Sequence, residues 1–229
     1  MNNKQLVNFF KKTSMIMYVG IILIILGGVF VFRRGFGTKA IGFTIMAIGA
    51  AIFIVGVSLR ASEKDVLSCL AKKMDGMDYT YDTLAVNERR VLRNIKPEVT
   101  EYYDYEDGAM FKRAKDGTLI SSQKTKSIIF IIKDALIVRT RTVSIFDENV
   151  KDRRIEIPFS AITDISVVRE EKKLSFMNKT YDVTVDKLVV KYGNGYRFVT
   201  PVHADSKSKE IAERLNREIE RLKEAAANE

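Results

Sequence analysis

Two long uncharged runs lie close together near the start of this chain, and they limit its possible folds more than any other feature. Met15 to Phe32 reads MIMYVGIILIILGGVFVF, and Ala40 to Leu59 reads AIGFTIMAIGAAIFIVGVSL. At about 1.5 Å of rise per residue, roughly 20 apolar residues cross a hydrocarbon core about 30 Å thick, so each run is long enough to span a bilayer. A cleaved secretion signal would have a shorter apolar core and a small-residue cleavage motif, and a second span would not follow it directly. The sequence therefore predicts a transmembrane helical hairpin over residues 15–59, with spans at 15–32 and 40–59 and a basic segment, 1–14, before it. The connector Arg33 to Lys39, RRGFGTK, has room only for a tight turn, which makes the two helices antiparallel neighbours.

Glycine placement supports that pairing. Gly20 and Gly27 in the first run, and Gly42, Gly49 and Gly56 in the second, recur every seven residues and share one helix face. In lipid, small residues on one face let helix backbones approach closely, and packing then drives association. Positive residues near the spans set the orientation. Lys4, Lys11 and Lys12 precede the first span, and Arg60, Lys64, Lys72 and Lys73 follow the second; the connector carries Arg33, Arg34 and Lys39. The excess beside the chain ends predicts a multi-pass protein of the cell membrane with both termini in the cytoplasm. Tyr18 is the one ionisable group inside either run, so no polar path of the transporter kind is expected and the hairpin reads as an anchor.

Charge separates this anchor from the rest. Residues 1–59 hold no Asp or Glu and six basic residues; the 38 basic residues less these six leave 32, against all 29 acidic residues, a net charge of +3 for residues 60–229. A nucleic-acid surface needs concentrated Lys and Arg on the folded domain, so near-neutrality argues against that partner. The single cysteine, Cys69, excludes an internal disulfide, and with only His203 as histidine no Cys/His zinc site is expected.

Residues 60–98 read as a membrane-proximal helix and linker. Ser62 and Asp65 have the spacing of a capping box, and Val66, Leu67, Leu70, Ala71 and Met74 follow at helical period, a face suited to packing on the domain or lying on the membrane. Cys69 lies in this helix without an adjacent base and reads as a structural residue. Tyr79 to Lys96 is a linker whose most helical piece is Asn87 to Leu92, closed by Pro97.

From residue 99 the period becomes that of strands. Val99 to Tyr105 leads to turns at Asp107-Gly108 and Asp116-Gly117. SIIFII (127–132) and ALIVRTRTVSI (135–145) meet at Lys133-Asp134, and Asp182 to Tyr192 meets Tyr196 to Thr200 across Gly193-Asn194-Gly195. About seven strands result, as in a small antiparallel barrel or sandwich. A last helix, capped by Asp205 or Ser206, carries Ile211, Leu215, Ile219 and Leu222 in one stripe, with Glu210–Arg214 and Glu213–Arg217 at spacing four.

In residues 99–223 the segment Ile155-Glu156-Ile157-Pro158-Phe159-Ser160-Ala161-Ile162-Thr163-Asp164-Ile165, the hairpin before it, the late Gly-Asn-Gly hairpin and the terminal amphipathic helix resemble the bacterial pleckstrin-homology-like (PH-like, GRAM-related) domains, which are often attached to transmembrane segments. The resemblance implies a PH-like bent antiparallel barrel of about seven strands capped by a C-terminal α-helix, over residues 99–229. The fold hosts many activities and chooses none of them.

No catalytic constellation is legible. His203 has no identifiable nucleophile or metal beside it, no phosphate-binding glycine loop follows a strand, and the acidic groups Asp104/Glu106/Asp107 and Asp147/Glu148/Asp152 lack calcium-loop spacing. Asn178-Lys179-Thr180 matches a glycosylation acceptor by pattern only. No catalytic residue, metal site or cofactor is expected. Lys112 and Arg113 on one hairpin, and Lys124, Lys126, Arg139 and Arg141 on the next pair of strands, are the candidate contacts for a lipid headgroup or a protein partner. The expected function is a non-enzymatic adaptor or scaffold for a protein partner at the cytoplasmic membrane face. An anionic-lipid-sensing module and an accessory subunit of a membrane enzyme or transporter are the alternatives.

Overall fold

The computed structural model describes residues 3–10, 15–33, 35–77, 80–105, 108–176, 179–202 and 206–228. Lys11, Lys12, Arg34, Tyr79, Glu106, Asp107, Asn178, His203 and Asp205, all used above, lie outside them. The chain divides into two compact units, Met1–Cys69 and Leu70–Glu229.

The first unit is helical. A short helix, α1 (Asn3–Phe10), precedes two apolar ones, α2 (Met15–Val31) and α3 (Phe36–Ser58). The sequence reading had no element at α1. Its signal is brief: Leu6, Phe9 and Phe10, three to four apart, are buried, with the two phenyl rings edge to face at 5.0 Å. The Ala61 N–H donates to the Gln5 carbonyl at 3.3 Å, so α1 lies beside the exit from α3. α3 begins at Phe36 rather than Ala40, which takes Lys39 out of the connector and into the first helical turns. Gly35, at φ 133°, makes the bend that other residues adopt only with strain. By length and composition α3 is the one described helix long and apolar enough to cross a membrane, at roughly 35 Å. α2 carries no charged residue but is only 17 residues long.

α2 and α3 pack antiparallel along their glycines. A Cβ on Gly20 would lie 2.8 Å from the Phe53 nitrogen, one on Gly27 2.7 Å from the Gly42 carbonyl, and one on Gly49 2.8 Å from the Ile24 nitrogen. Gly42 and Gly56 are as tight, meeting Gly27 and Met17. The outward faces are apolar and exposed, with Ile22 at 55%, Phe43 at 60% and Ile54 at 65%. Helix α4 (Glu63–Met74) follows and contains the boundary between the units. Its start is a reciprocal cap: the Asp65 N–H donates to Ser62 Oγ at 3.2 Å, and the Ser62 N–H to Asp65 Oδ2 at 2.9 Å. The Ser62 hydroxyl also donates to Asp65 Oδ2, at 2.7 Å, and this bond, followed by that from the Ser62 N–H, holds the Asp65 carboxyl below its ordinary range.

The second unit is mainly β. Its described strands are β1 (Glu98–Asp104), β2 (Phe111–Arg113), β3 (Leu119–Ser121), β4 (Gln123–Ile131), β5 (Ala135–Ser144), β6 (Lys151–Pro158), β7 (Ile162–Phe176), β8 (Lys179–Tyr192) and β9 (Tyr196–Val202). They form three antiparallel sheets, ordered β1-β4-β5-β6, β2-β3 and β7-β8-β9, and no closed barrel. Nine strands therefore replace the expected seven or so. Pro158 is one reason, since it ends β6 without a donor, and the short 3₁₀ turn Phe159–Ala161 then carries the chain into a different sheet. The hairpin β2-β3 pairs only with itself, which makes the third sheet.

One core joins the two larger sheets and the C-terminal helix α5 (Ser206–Ala227). Ile129, Ile131, Leu136, Val138 and Ile157 meet Leu188, Val190 and Phe198, and Leu215 and Ile219 of α5 are 0% and 3% exposed. The opposite face of β4 and β5 is also covered, because Ile128, Phe130, Ile132 and Ile137 pack with Met77 and Leu84. Burial on both faces explains why SIIFII is continuously apolar rather than alternating. In α5, Arg214 pairs with Glu98 at 2.9 Å instead of stopping at its own helix neighbour Glu210, while Arg217 and Glu213 lie 3.8 Å apart.

Candidate functional site

The six basic candidates fall in two places. Lys112 and Arg113 lie on β2, and the Arg113 guanidinium sits 5.9 Å from the Tyr181 ring centre. Lys124, Lys126, Arg139 and Arg141 share one face of β4 and β5, in a register that sets two cations against each other. Glu101 of β1 is opposite Lys126 of β4, Lys126 is opposite Arg141 of β5, and Arg141 is opposite Asp152 of β6. Like charges directly across a pair of strands repel. Here a carboxylate on each flank offsets that: Glu101 holds Lys124 at 2.6 Å and Lys126 at 3.5 Å, and Asp152 receives Arg141 through two bonds of 2.8 and 2.7 Å.

The result is a charge ladder, minus, plus, plus, minus, across four strands. Lys126 is 6% exposed at its side chain and Arg141 15%, with Arg141 also donating to the Asp75 carbonyl at 2.9 Å. Strand alternation places both on a polar face, but neighbouring strands and the Asp75 segment cover them. Burial pushes the Glu101 carboxyl up, yet Lys124 and Lys126 outweigh it and hold the group below its usual range; Asp152 is lowered by its bonds from Arg141. Arg139 faces Arg154 of β6 in register, beside a shallow cavity of about 240 Å³ that Met77, Leu84 and Arg153 help to line.

A second, larger feature drew no attention in the sequence. Tyr102 and Asp104 of β1, the threonines Thr125, Thr140 and Thr142 of β4 and β5, and Lys187 and Arg197 of β8 and β9 all line a cavity of about 410 Å³. Serine and threonine at every second position, Thr125 with Ser127 and Thr140 with Thr142, are the trace it leaves in the sequence. The basic side of the cavity comes from residues that only the sheet register brings there.

Among the described residues no group of three His, Cys, Asp or Glu side chains is placed to hold a metal ion. Cys69 lies half-buried in α4. Compared with family models, curated proteins and solved structures, the chain matches none.

Proposed function

We propose that this protein is a membrane-anchored, non-enzymatic module: α2 and α3 form a two-span transmembrane hairpin, and the β unit is a PH-like domain that serves at the cytoplasmic face as an adaptor or scaffold for a protein partner. The observation that carries the reading is the glycine-to-glycine seam of α2 and α3, whose outward faces are predominantly apolar. Water would leave those faces without a partner, whereas lipid tails solvate them. α2 is short for a span, and its flanking Phe32 extends the apolar stretch. The β4–β5–β6 hairpins, the Gly193–Gly195 turn and an amphipathic helix packed on the core support the PH-like reading, with sheets that stay open rather than close into a barrel.

Lys124, Lys126 and Arg141 are paired with carboxylates within the fold, which favours a protein partner over headgroup binding through that face. Crosslinking in intact cells followed by affinity purification, with the full chain compared to one truncated after residue 75, tests the adaptor role. Recovery of a membrane protein by the full chain alone supports it. Identical recoveries from both chains would place the interaction in the hairpin, and a substrate turnover that depends on His203 would replace an adaptor with an enzyme.

A further inference from the structure

The four-stranded sheet ends at β6, and no described strand pairs with the outer side of that strand. Which of its backbone groups face outward follows from the open end of the β5–β6 pair. There the Phe159 N–H donates to the Asp134 carbonyl at 2.9 Å, and the register continues with Ala135 opposite Pro158, Val138 opposite Ile155 and Arg139 opposite Arg154. Antiparallel pairs alternate between hydrogen-bonded and non-bonded. Counted from the bonded pair 134–159, Ile157, Ile155 and Arg153 bond to β5, whereas Pro158, Glu156, Arg154 and Asp152 turn their backbone groups outward. Pro158 fits this assignment, because at an outward position its missing N–H costs no ladder bond. The edge is also uncovered, with residues 151–154 all exposed. On β7, by contrast, Asn216 of α5 donates to the Ile165 carbonyl at 2.9 Å, so the helix takes up a backbone acceptor of that strand.

The side chains along this edge are short of carboxylates. In the row Glu101–Lys126–Arg141–Asp152, two adjacent cations have a carboxylate on each flank. The next row on the same face is Val99–Ile128–Arg139–Arg154. Two cations again stand directly opposite, in a non-bonded pair, where side chains lie closest; one flank is apolar and the other is solvent. The acids two residues away on β6 serve other partners. Asp152 receives Arg141 at 2.8 and 2.7 Å, and Glu156 receives Arg90 at 2.6 Å but lies 3.7 Å from Arg154. Lys151 and Arg153 add two exposed cations on the other face of the strand.

We infer that the open edge of β6 is the docking site for an extended acidic segment of a partner protein, which adds a fifth strand to the sheet and sets a carboxylate beside Arg154. Main-chain bonds to Asp152, Arg154 and Glu156 supply affinity that does not depend on the partner's side chains. The added carboxylate gives specificity: it closes the Arg139–Arg154 row as Asp152 closes the row before it, and a guanidinium offers it paired donors. Acids on the other face of the added strand meet Lys151 and Arg153. This inference rests on the adaptor reading and names the chemistry of the partner.

The test uses the full chain in maltoside micelles, labelled with a fluorophore at its N-terminus, and the acetylated peptide Thr-Val-Glu-Glu-Thr-Glu as probe, followed by thermophoresis. Saturable binding that weakens with salt is expected for the wild type and for the control Lys223→Glu on α5. Arg154→Glu, at a side chain 44% exposed, is expected to weaken it at least about tenfold while the far-ultraviolet circular dichroism is unchanged. Methylating one alternate set of peptide amides should abolish binding and methylating the other set should not, because only one set faces β6. No binding at about 5 mM peptide, equal affinity for Thr-Val-Lys-Lys-Thr-Lys, equal binding by both methylated forms, or wild-type affinity in Arg154→Glu would overturn the inference. A dimer in light scattering that Arg154→Glu dissociates would make a second copy the occupant and overturn it too. Crosslinking in intact cells separates it from the adaptor reading: a partner recovered equally by the wild type and by Arg154→Glu keeps the adaptor and removes the edge as its site, while no partner recovered by the wild type removes both.

Discussion

Asp186 is the residue at which the account of the β unit is most exposed to test. It sits on the inner face of β8 with its side chain 2% exposed, and it accepts from Arg169 Nε at 2.8 Å, Arg169 Nη2 at 3.0 Å and the buried Ser208 hydroxyl at 2.9 Å. Ser208 belongs to the first turns of α5, so this carboxylate fastens the start of the covering helix to the sheet. Asp186→Asn keeps the shape and removes the charge, and it sets an amide N–H₂ among partners of which the Arg169 guanidinium can only donate. The Arg169 side chain is 58% exposed, so its share is small. The buried bond to Ser208 and the mismatched donor set the cost, at about 2 kcal/mol. With a urea slope of roughly 2 kcal/mol/M, the unfolding midpoint of the full chain, followed by tyrosine fluorescence, should fall by about 1 M at pH 7.

The pH dependence gives the second half of that test. Bonds from Arg169, and then from Ser208, hold the Asp186 carboxyl below its ordinary value and outweigh the opposing effect of burial. In the window between the lowered folded value and the ordinary value near 4, the unfolded chain binds the extra proton. Stability from this group is therefore complete above about pH 4 and lost as the pH falls through the folded value. The gap between wild type and Asp186→Asn should narrow in acid. An Asp186→Asn chain as stable as the wild type at pH 7, or a gap that widens as pH falls, would refute the reasoning.

Other substitutions separate packing from charge. Leu215→Ala removes a fully buried side chain from α5 and should cost about 2–5 kcal/mol in the same urea experiment. Gly49→Leu puts a side chain where a Cβ already meets the Ile24 nitrogen at 2.8 Å, so disulfide crosslinking between cysteines engineered in α2 and α3 should fall sharply. Gly28→Ala, which meets open space, should leave it unchanged. In the charge ladder, Glu101→Gln leaves the buried Lys126 without its carboxylate and should lower the urea midpoint more than Lys126→Met, which removes the cation itself.

The local signals in this sequence were strongest where one physical effect dominated. The Ser62–Asp65 cap, the turn at Gly193 and Gly195, and the stripe through Leu215 and Ile219 can each be read from a few residues. The longest strands were harder. β7 continues through Arg169-Glu170-Glu171-Lys172-Lys173 and β8 begins at Lys179 rather than Asp182, because cross-strand ion pairs such as Glu170–Lys187 hold segments whose composition suggests a loop. The break into three sheets depends on Pro158 and on which edges find partners, and composition carries neither. The candidate contacts show the same limit: alternation places Lys126 and Arg141 on a polar face, while their burial follows from Glu101 and Asp152 on strands far away in sequence. The hydroxyl-lined cavity needs the β4–β5 register and the placement of β8–β9 together.

Central to the account is a two-span anchor with the β unit on the cytoplasmic side, and cysteine accessibility in intact cells tests it most directly. With Cys69 replaced by alanine, single cysteines are introduced at Gly37, where a side chain meets open space, and at Asn194, exposed on the β8–β9 turn. The account predicts that a membrane-impermeant maleimide labels the Gly37→Cys chain in intact cells and the Asn194→Cys chain only after lysis, with both chains retained in carbonate-washed membranes. Labelling of Asn194→Cys in intact cells, or release of the chain by carbonate, would contradict it.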